Sequence, residues 1–177
     1  AWDILLKTCY KDDGYEENEV GSTLAARPQL MPKRTGPCCV SKVFYDTKEY
    51  EKAVDLFISV ADEFENSRGY QYDLCDMVRQ CFSNRFYDNQ KQFSKYFKLL
   101  QRKKCEKIAQ TQLELLLDMD SFISCRSEMT LAKWICDAHN LAKNEEEKKY
   151  FDFNARTLIT LWGDINGSTS ALYDYSW

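Results

Sequence analysis

The sequence is poor in histidine, proline and glycine, with one, three and six of each among 177 residues. A single histidine excludes any site that needs several imidazoles, and no Ser-His or Cys-His catalytic motif is formed around His139. It sits among Trp134 and Asn140 and reads as structural. No apolar run approaches the ~20 residues that a bilayer-spanning helix requires, and the opening AWDILLKTCYKDDG has neither the charge order nor the cleavage site of a signal peptide. Basic charge is not in excess: 24 Lys and Arg stand against 28 Asp and Glu, a net charge of -4. That balance disfavours general nucleic-acid binding, which needs surplus cations to displace counterions from phosphates. No CxxC pair occurs, so neither a zinc ribbon nor a thioredoxin-type site is indicated, and no motif calls for a cofactor.

Cysteines, by contrast, are plentiful: positions 9, 38, 39, 75, 81, 105, 125 and 136. They read as buried thiols with occasional disulfides whose pairing spacing does not fix. Cys136-x-x-His139 would share a helix face, but a structural zinc needs four ligands and no second pair is visible. A chain that is 44% hydrophobic and 14% aromatic suffices for one domain with a real core.

Along the chain, 1–10 reads as the end of an amphipathic helix. Residues 11–44 form an irregular stretch whose first part, 11–39, holds all three prolines, three glycines and an acidic cluster. A loop this long is either functional surface or a segment clamped against a neighbour. From Asp46, with Glu49 as a capping-box partner, the pattern turns helical: Ala53, Leu56, Phe57, Val60 and Phe64 make one stripe. After a break at ENSRG (65–69), a helix runs towards Leu100, long or kinked. Two more come at 105–123, with Ile108, Leu113, Leu116, Leu117, Met119 and Phe122, and at 127–142, with Leu131, Trp134, Ile135 and Ala138. Asn144 caps the last one, with Glu147 as box partner and a Glu145–Lys149 pair. The fold class is all-α, a bundle of about five or six helices.

Three stretches carry more than packing. Asp73, Asp76 and Arg79 recur at helical spacing, either as a surface ion-pair ladder or as a site. Residues 91–107 carry seven Lys or Arg against one Glu, interleaved with Phe93, Tyr96, Phe97, Leu99 and Leu100. They form either a solvated helix face or a patch for a sulfated polysaccharide or other anionic surface. NARTLITLWG (154–163) sets Asn154 and Arg156 at one end of an apolar run and Trp162-Gly163 at the other.

The order Ala1-Trp2-x-x-Leu5-Leu6, Arg27-Pro28, YDLCDMVRQ, then WICDAHNLAKNEEEKKYFDFNARTLITLWG and LYDYSW resembles the C-terminal helical region of the α-N-acetylglucosaminidases. These family 89 glycoside hydrolases include lysosomal enzymes that degrade heparan sulfate. The resemblance covers essentially all of 1–177 and implies a domain incomplete at both ends, packed on the active face of a (β/α)₈ barrel. It implies removal of terminal α-linked N-acetylglucosamine with retention, by two barrel glutamates outside this chain, so that the polypeptide alone is inactive. Trp162 then becomes an aromatic lip for the sugar. Asn154 and Arg156 support it, with Asp73 or Asp174 as carboxylate and the Asp174-Tyr175 motif beyond. The expected partners are the barrel of the same protein and a glycan, with a homo-oligomer left open, and the expected location is lysosomal or secreted. Two departures stand out: the cysteine abundance, and an NGSTSA extension whose Asn166-Gly167-Ser168 is an N-glycosylation acceptor. The other classes in play are a helical adaptor, which would expose little apolar surface, and a cofactor- or lipid-binding bundle, which would need an internal cavity.

Overall fold

The computed structural model of the chain describes residues 1–11, 19–24, 26, 29–32 and 39–159. Among these are six α-helices: α1 Trp2–Lys7, α2 Thr47–Ile58, α3 Arg68–Lys98, α4 Arg102–Ile123, α5 Leu131–Asn140 and α6 Glu145–Leu158. A 3₁₀ turn at Ser127–Met129 links α4 to α5. Inside the long N-terminal stretch, β1 (Glu19–Val20) pairs in parallel with β2 (Cys39–Val40), Glu19 opposite Cys39 and Val20 opposite Val40.

The helix starts arise from local chemistry. Asp46 Oδ1 accepts from the amides of Lys48 (2.9 Å) and Glu49 (3.3 Å), occupying donors that the first turn of α2 cannot satisfy itself. Ser67 and Thr130 cap α3 and α5 in the same way. At α6 the reciprocal box is displaced by one residue: Asn144 Oδ1 accepts from the Glu147 amide (2.9 Å), while Glu147 Oε2 accepts from the Lys143 amide (2.8 Å). Glu145 pairs with Lys148 at 3.8 Å, one position nearer than the expected Lys149.

Helices α3 and α4 form an antiparallel hairpin whose rungs can be traced along its length. Phe82 meets Phe122 at 6.1 Å between ring centroids, Gln112 donates to Gln90 at 3.0 Å, and Cys105 Sγ lies 4.0 Å from the Phe93 carbonyl. On α4 the buried residues are Cys105, Gln112 and Met119, seven apart, the narrow seam of a coiled-coil-like contact. The expected broader stripe does not form, because Leu113 and Leu117 lie on the solvent side.

The principal core joins Leu5 of α1, Tyr50, Ala53 and Val54 of α2 and Met77 of α3. Helix α2 ends at Ile58, so Val60 and Phe64 belong to turns rather than to its stripe, and Leu56 is exposed. Aromatic stacking takes over there. Tyr70 of α3 stacks on Phe57 (5.8 Å) and Phe64 (5.4 Å), and Trp2 meets Phe57 edge-on at 6.1 Å.

One face of α3 is polar yet buried, and it holds the N-terminal stretch. Asn84 Oδ1 accepts from Tyr45 Oη (3.0 Å) and Gln80 Nε2 (3.1 Å). Ser83 hydrogen bonds to Ser22, and Gln90 Nε2 donates to the carbonyls of Gln29 (2.9 Å) and Leu30 (2.7 Å). The described part of the long loop is thus clamped on a neighbour, the second of the two expectations for it.

Candidate functional site: a groove beside helix α3

A groove of about 760 Å³ runs between α3, the corner from α4 to α5, and the N-terminal stretch around Ser22. On its α3 side stand Tyr72, Asp76, Arg79 and Tyr87, and on the other Glu128, Lys133 and Trp134. Helical spacing sets the first group: positions 72, 76 and 79 succeed one another about a turn apart along one face. Asp76 Oδ1 accepts from Arg79 Nε (3.0 Å) and Nη2 (2.8 Å), so one carboxylate oxygen is taken and the other is free to accept. The Thr130 cap starts α5 so that Trp134 stands one turn into it; its Nε1 donates to the Ala155 carbonyl of α6 at 3.0 Å. Glu128 is held below the usual carboxylate range by a hydrogen bond from its own backbone N–H, and further by Arg126. Carboxylates with free lone pairs, hydroxyls and aromatic walls are what a polyhydroxylated ligand meets in a binding cleft.

Asp137 of α5 and Ile159, just after α6, also line the groove, and the residues that join these two helices lie outside its lining. Between the two helices His139 Nε2 lies 2.9 Å from Asp152 Oδ1, and Arg156 Nε donates to Asp152 Oδ2 at 2.7 Å. The Arg156 and His139 hydrogen bonds lower the Asp152 pKa against the effect of burial. His139 thus ties α5 to α6, the structural part the sequence gives it, and Cys136 is exposed.

The whole chain, residues 1–177, matches the family model of the alpha-N-acetylglucosaminidase (NAGLU) C-terminal domain. The chain belongs to this family. It is 26% identical over 172 residues to human alpha-N-acetylglucosaminidase, covering 92% of this chain and 21% of the human protein. The family 89 glycoside hydrolase of Clostridium perfringens, solved with 2-acetamido-1,2-dideoxynojirmycin, superposes with a TM-score of 0.90 at 32% identity, over 99% of this chain and 20% of that one. The same enzyme solved with PUGNAc gives a TM-score of 0.90 at 31% identity. The chain therefore spans about a fifth of its relatives, a minor part of larger enzymes.

Within this alpha-N-acetylglucosaminidase C-terminal domain, the residues singled out from sequence separate. Arg79 does reach Asp76, and both line the groove, whereas Asp73 is exposed and outside it. Arg156 is engaged by Asp152, a partner four residues back that the sequence reading passed over in favour of Asp73 or Asp174. Asn154 is half-buried on α6. Trp162, Gly163, Asn166, Asp174 and Tyr175 lie outside the described residues, as do Arg27 and Pro28. The basic 91–107 segment is the tip of the α3–α4 hairpin, with Lys91 paired to Asp88 (2.6 Å), Arg102 to Glu106 (2.6 Å) and Lys104 over the Tyr96 ring at 4.8 Å. Sequence reasoning missed the buried polar face of α3. Its signal was present: Gln80, Ser83, Asn84 and Gln90 fall at helical spacing where apolar residues would serve a plain core.

Proposed function

We propose that this domain belongs to a retaining exo-glycosidase that removes terminal α-linked N-acetylglucosamine from heparan sulfate-type glycans, in a lysosomal or secreted protein. The observation that carries this is the correspondence of the chain, end to end, with one region of glycosidases five times its length. Retention needs two carboxylates about 5–5.5 Å apart across the scissile bond, one acid/base and one nucleophile. A form of the Clostridium enzyme with two glutamates replaced by glutamine was captured with its substrate, GlcNAc-alpha-1,4-galactose, which supports a glutamate pair in that role. Both would sit on the (β/α)₈ barrel, so this chain supplies no reacting group and is inactive alone.

Its contribution is a wall. Trp162 is proposed to offer an indole face to the C–H surface of the sugar, an arrangement in which a flat aromatic excludes water from an apolar patch of an otherwise polar ligand. Ile159 lines the groove, and at 3.3–3.6 Å per residue the chain carries position 162 no further than about 11 Å from it. Asn154 and Arg156 set the direction in which the chain leaves α6, with Asp174 and Tyr175 as further support and Asp73 as a second carboxylate near the groove. Asn166 is proposed to carry a glycan.

In the full-length enzyme acting on a p-nitrophenyl N-acetyl-α-glucosaminide, Trp162→Ala is expected to lower kcat/KM by about tenfold or more. Unchanged kcat and KM would remove Trp162 from the sugar site. NMR of the first-formed product should show the α-anomer; the β-anomer would overturn retention.

A further inference from the structure

Helices α3 and α4 are joined by Leu99, Leu100 and Gln101, and the hairpin ends in apolar side chains that face water: Phe97 is 50% exposed, Leu99 55% and Leu100 89%. Exposed cations surround them. Lys91 is paired with Asp88 and Arg102 with Glu106, the single carboxylate of 91–107, but Lys95, Lys98, Lys103 and Lys107 make no ion pair among the described residues. Between Lys91 and Thr111 the side-chain hydrogen bonds and ring contacts stay within α3 and α4, as in Cys105 with Phe93, Phe93 with Phe97 and Lys104 with Tyr96. The tip therefore takes no such support from the other described elements.

We propose that this tip docks on an anionic lipid bilayer, with Leu99 and Leu100 in the headgroup boundary and the lysines around them against the lipid phosphates and carboxylates. Leu100 holds a φ of +56° that glycine would adopt without strain, and its side chain is almost wholly in water. A strained residue kept where it packs against little points to a use outside the fold. The backbone there is already suited to an apolar layer. Leu99 N donates to the Lys95 carbonyl (3.2 Å), Leu100 N to Phe97 (3.0 Å), Gln101 N to Tyr96 (3.0 Å) and Arg102 N to Leu100 (3.1 Å), so the connection carries no bare amide into the lipid.

Charge sets the direction of approach. Seven Lys or Arg stand against one Glu in 91–107, within a chain of net charge -4, so an anionic surface attracts this end and repels the remainder. Lysine stems then lie along the apolar boundary while their ammonium groups stay among the headgroups. A sulfated polysaccharide would satisfy the same cations, but it offers nothing to Phe97, Leu99 and Leu100, which a bilayer takes up. The inference goes beyond the glycosidase reading and does not depend on it.

The test uses the full-length protein, sedimented with vesicles of phosphatidylcholine alone or with about one-third phosphatidylserine. Binding is expected to be roughly tenfold or more tighter with phosphatidylserine, and to weaken as salt is raised from about 0.1 M to about 0.5 M. Leu100→Gly, which suits the local backbone and should keep the circular dichroism of the wild type, is expected to weaken vesicle binding about tenfold. It should leave retention on a heparin column unchanged. Lys98→Gln with Lys103→Gln should weaken vesicle binding by roughly tenfold or more. Equal binding to the two kinds of vesicle, or Leu100→Gly binding them as the wild type does, would overturn the proposal. Retention on heparin without binding to anionic vesicles would overturn it too, and would give the patch to a sulfated glycan.

Discussion

Leu100 has φ of +56°, the left-handed region that a β-carbon disfavours, and it is 89% exposed. It occupies the position after the C-cap of α3, where Gln101 N donates to the Tyr96 carbonyl and Leu100 N to the Phe97 carbonyl, both at 3.0 Å. That is the Schellman arrangement, which glycine suits best. Leu100→Gly is therefore expected to stabilise the protein by about 0.5–1 kcal/mol, relief of the strained dihedral outweighing glycine's greater freedom in the unfolded chain. Urea unfolding would read this as a higher midpoint at constant slope. Asp152 carries a pH prediction. Its folded pKa lies below the ordinary aspartate value of 3.8, chiefly through Arg156, so it adds stability above that pH and loses it as pH falls through the lowered value. Between pH 5 and pH 2 the wild-type denaturation midpoint should fall more steeply than that of Asp152→Asn, a pH range set by the 3.8 reference value and the direction of the shift.

Helix α3 depends on a polar seam as much as on an apolar one. Asn84 is 1% exposed and joins Tyr45 to Gln80, so Asn84→Ala should cost about 2 kcal/mol: it deletes both hydrogen bonds, leaving the half-buried Tyr45 hydroxyl with only the Gln80 amide as a partner, and opens space in the packed interior. Equilibrium denaturation would show the loss. The starts of α2 and α6 were legible because Asp46 and Asn144 cap by short-range chemistry that needs no tertiary context. The length of α2 was not, because Val60 and Phe64 keep the 3.6-residue period while the chain around them turns to meet Tyr70. The helix expected over 127–142 divides into a 3₁₀ turn and α5, since the Thr130 hydroxyl accepts from the Lys133 amide and opens a new helix at Leu131. Asp76 and Arg79 were legible as a pair by their spacing, but the groove they line needed the corner beyond α4, which no local signal places opposite them.

Across the molecule, several helices carry exposed apolar residues in register rather than scattered. Leu113 and Leu117 stand one turn apart on α4, Tyr150 and Phe153 on α6, and Trp2 and Leu6 on α1. A self-sufficient adaptor would cover such stripes; a domain that seats against another part of a larger enzyme would have them. Separately expressed residues 1–177 should bind a hydrophobic dye such as ANS, and Leu117→Lys with Phe153→Lys should cut the signal several-fold with helicity by circular dichroism unchanged. Dye binding no greater than that of the full-length enzyme would support the adaptor.

The side-chain amide of Gln90 takes hold of two successive backbone carbonyls, those of Gln29 and Leu30, while its own oxygen accepts from Gln112 of α4. Greasy contacts tolerate sliding, since a shifted methyl still finds another methyl. Directional bonds do not. Any shift of the N-terminal stretch short of a whole residue would stretch both of these bonds at once, so this one glutamine acts as a detent, indexing where an otherwise irregular segment stops along the helix it crosses.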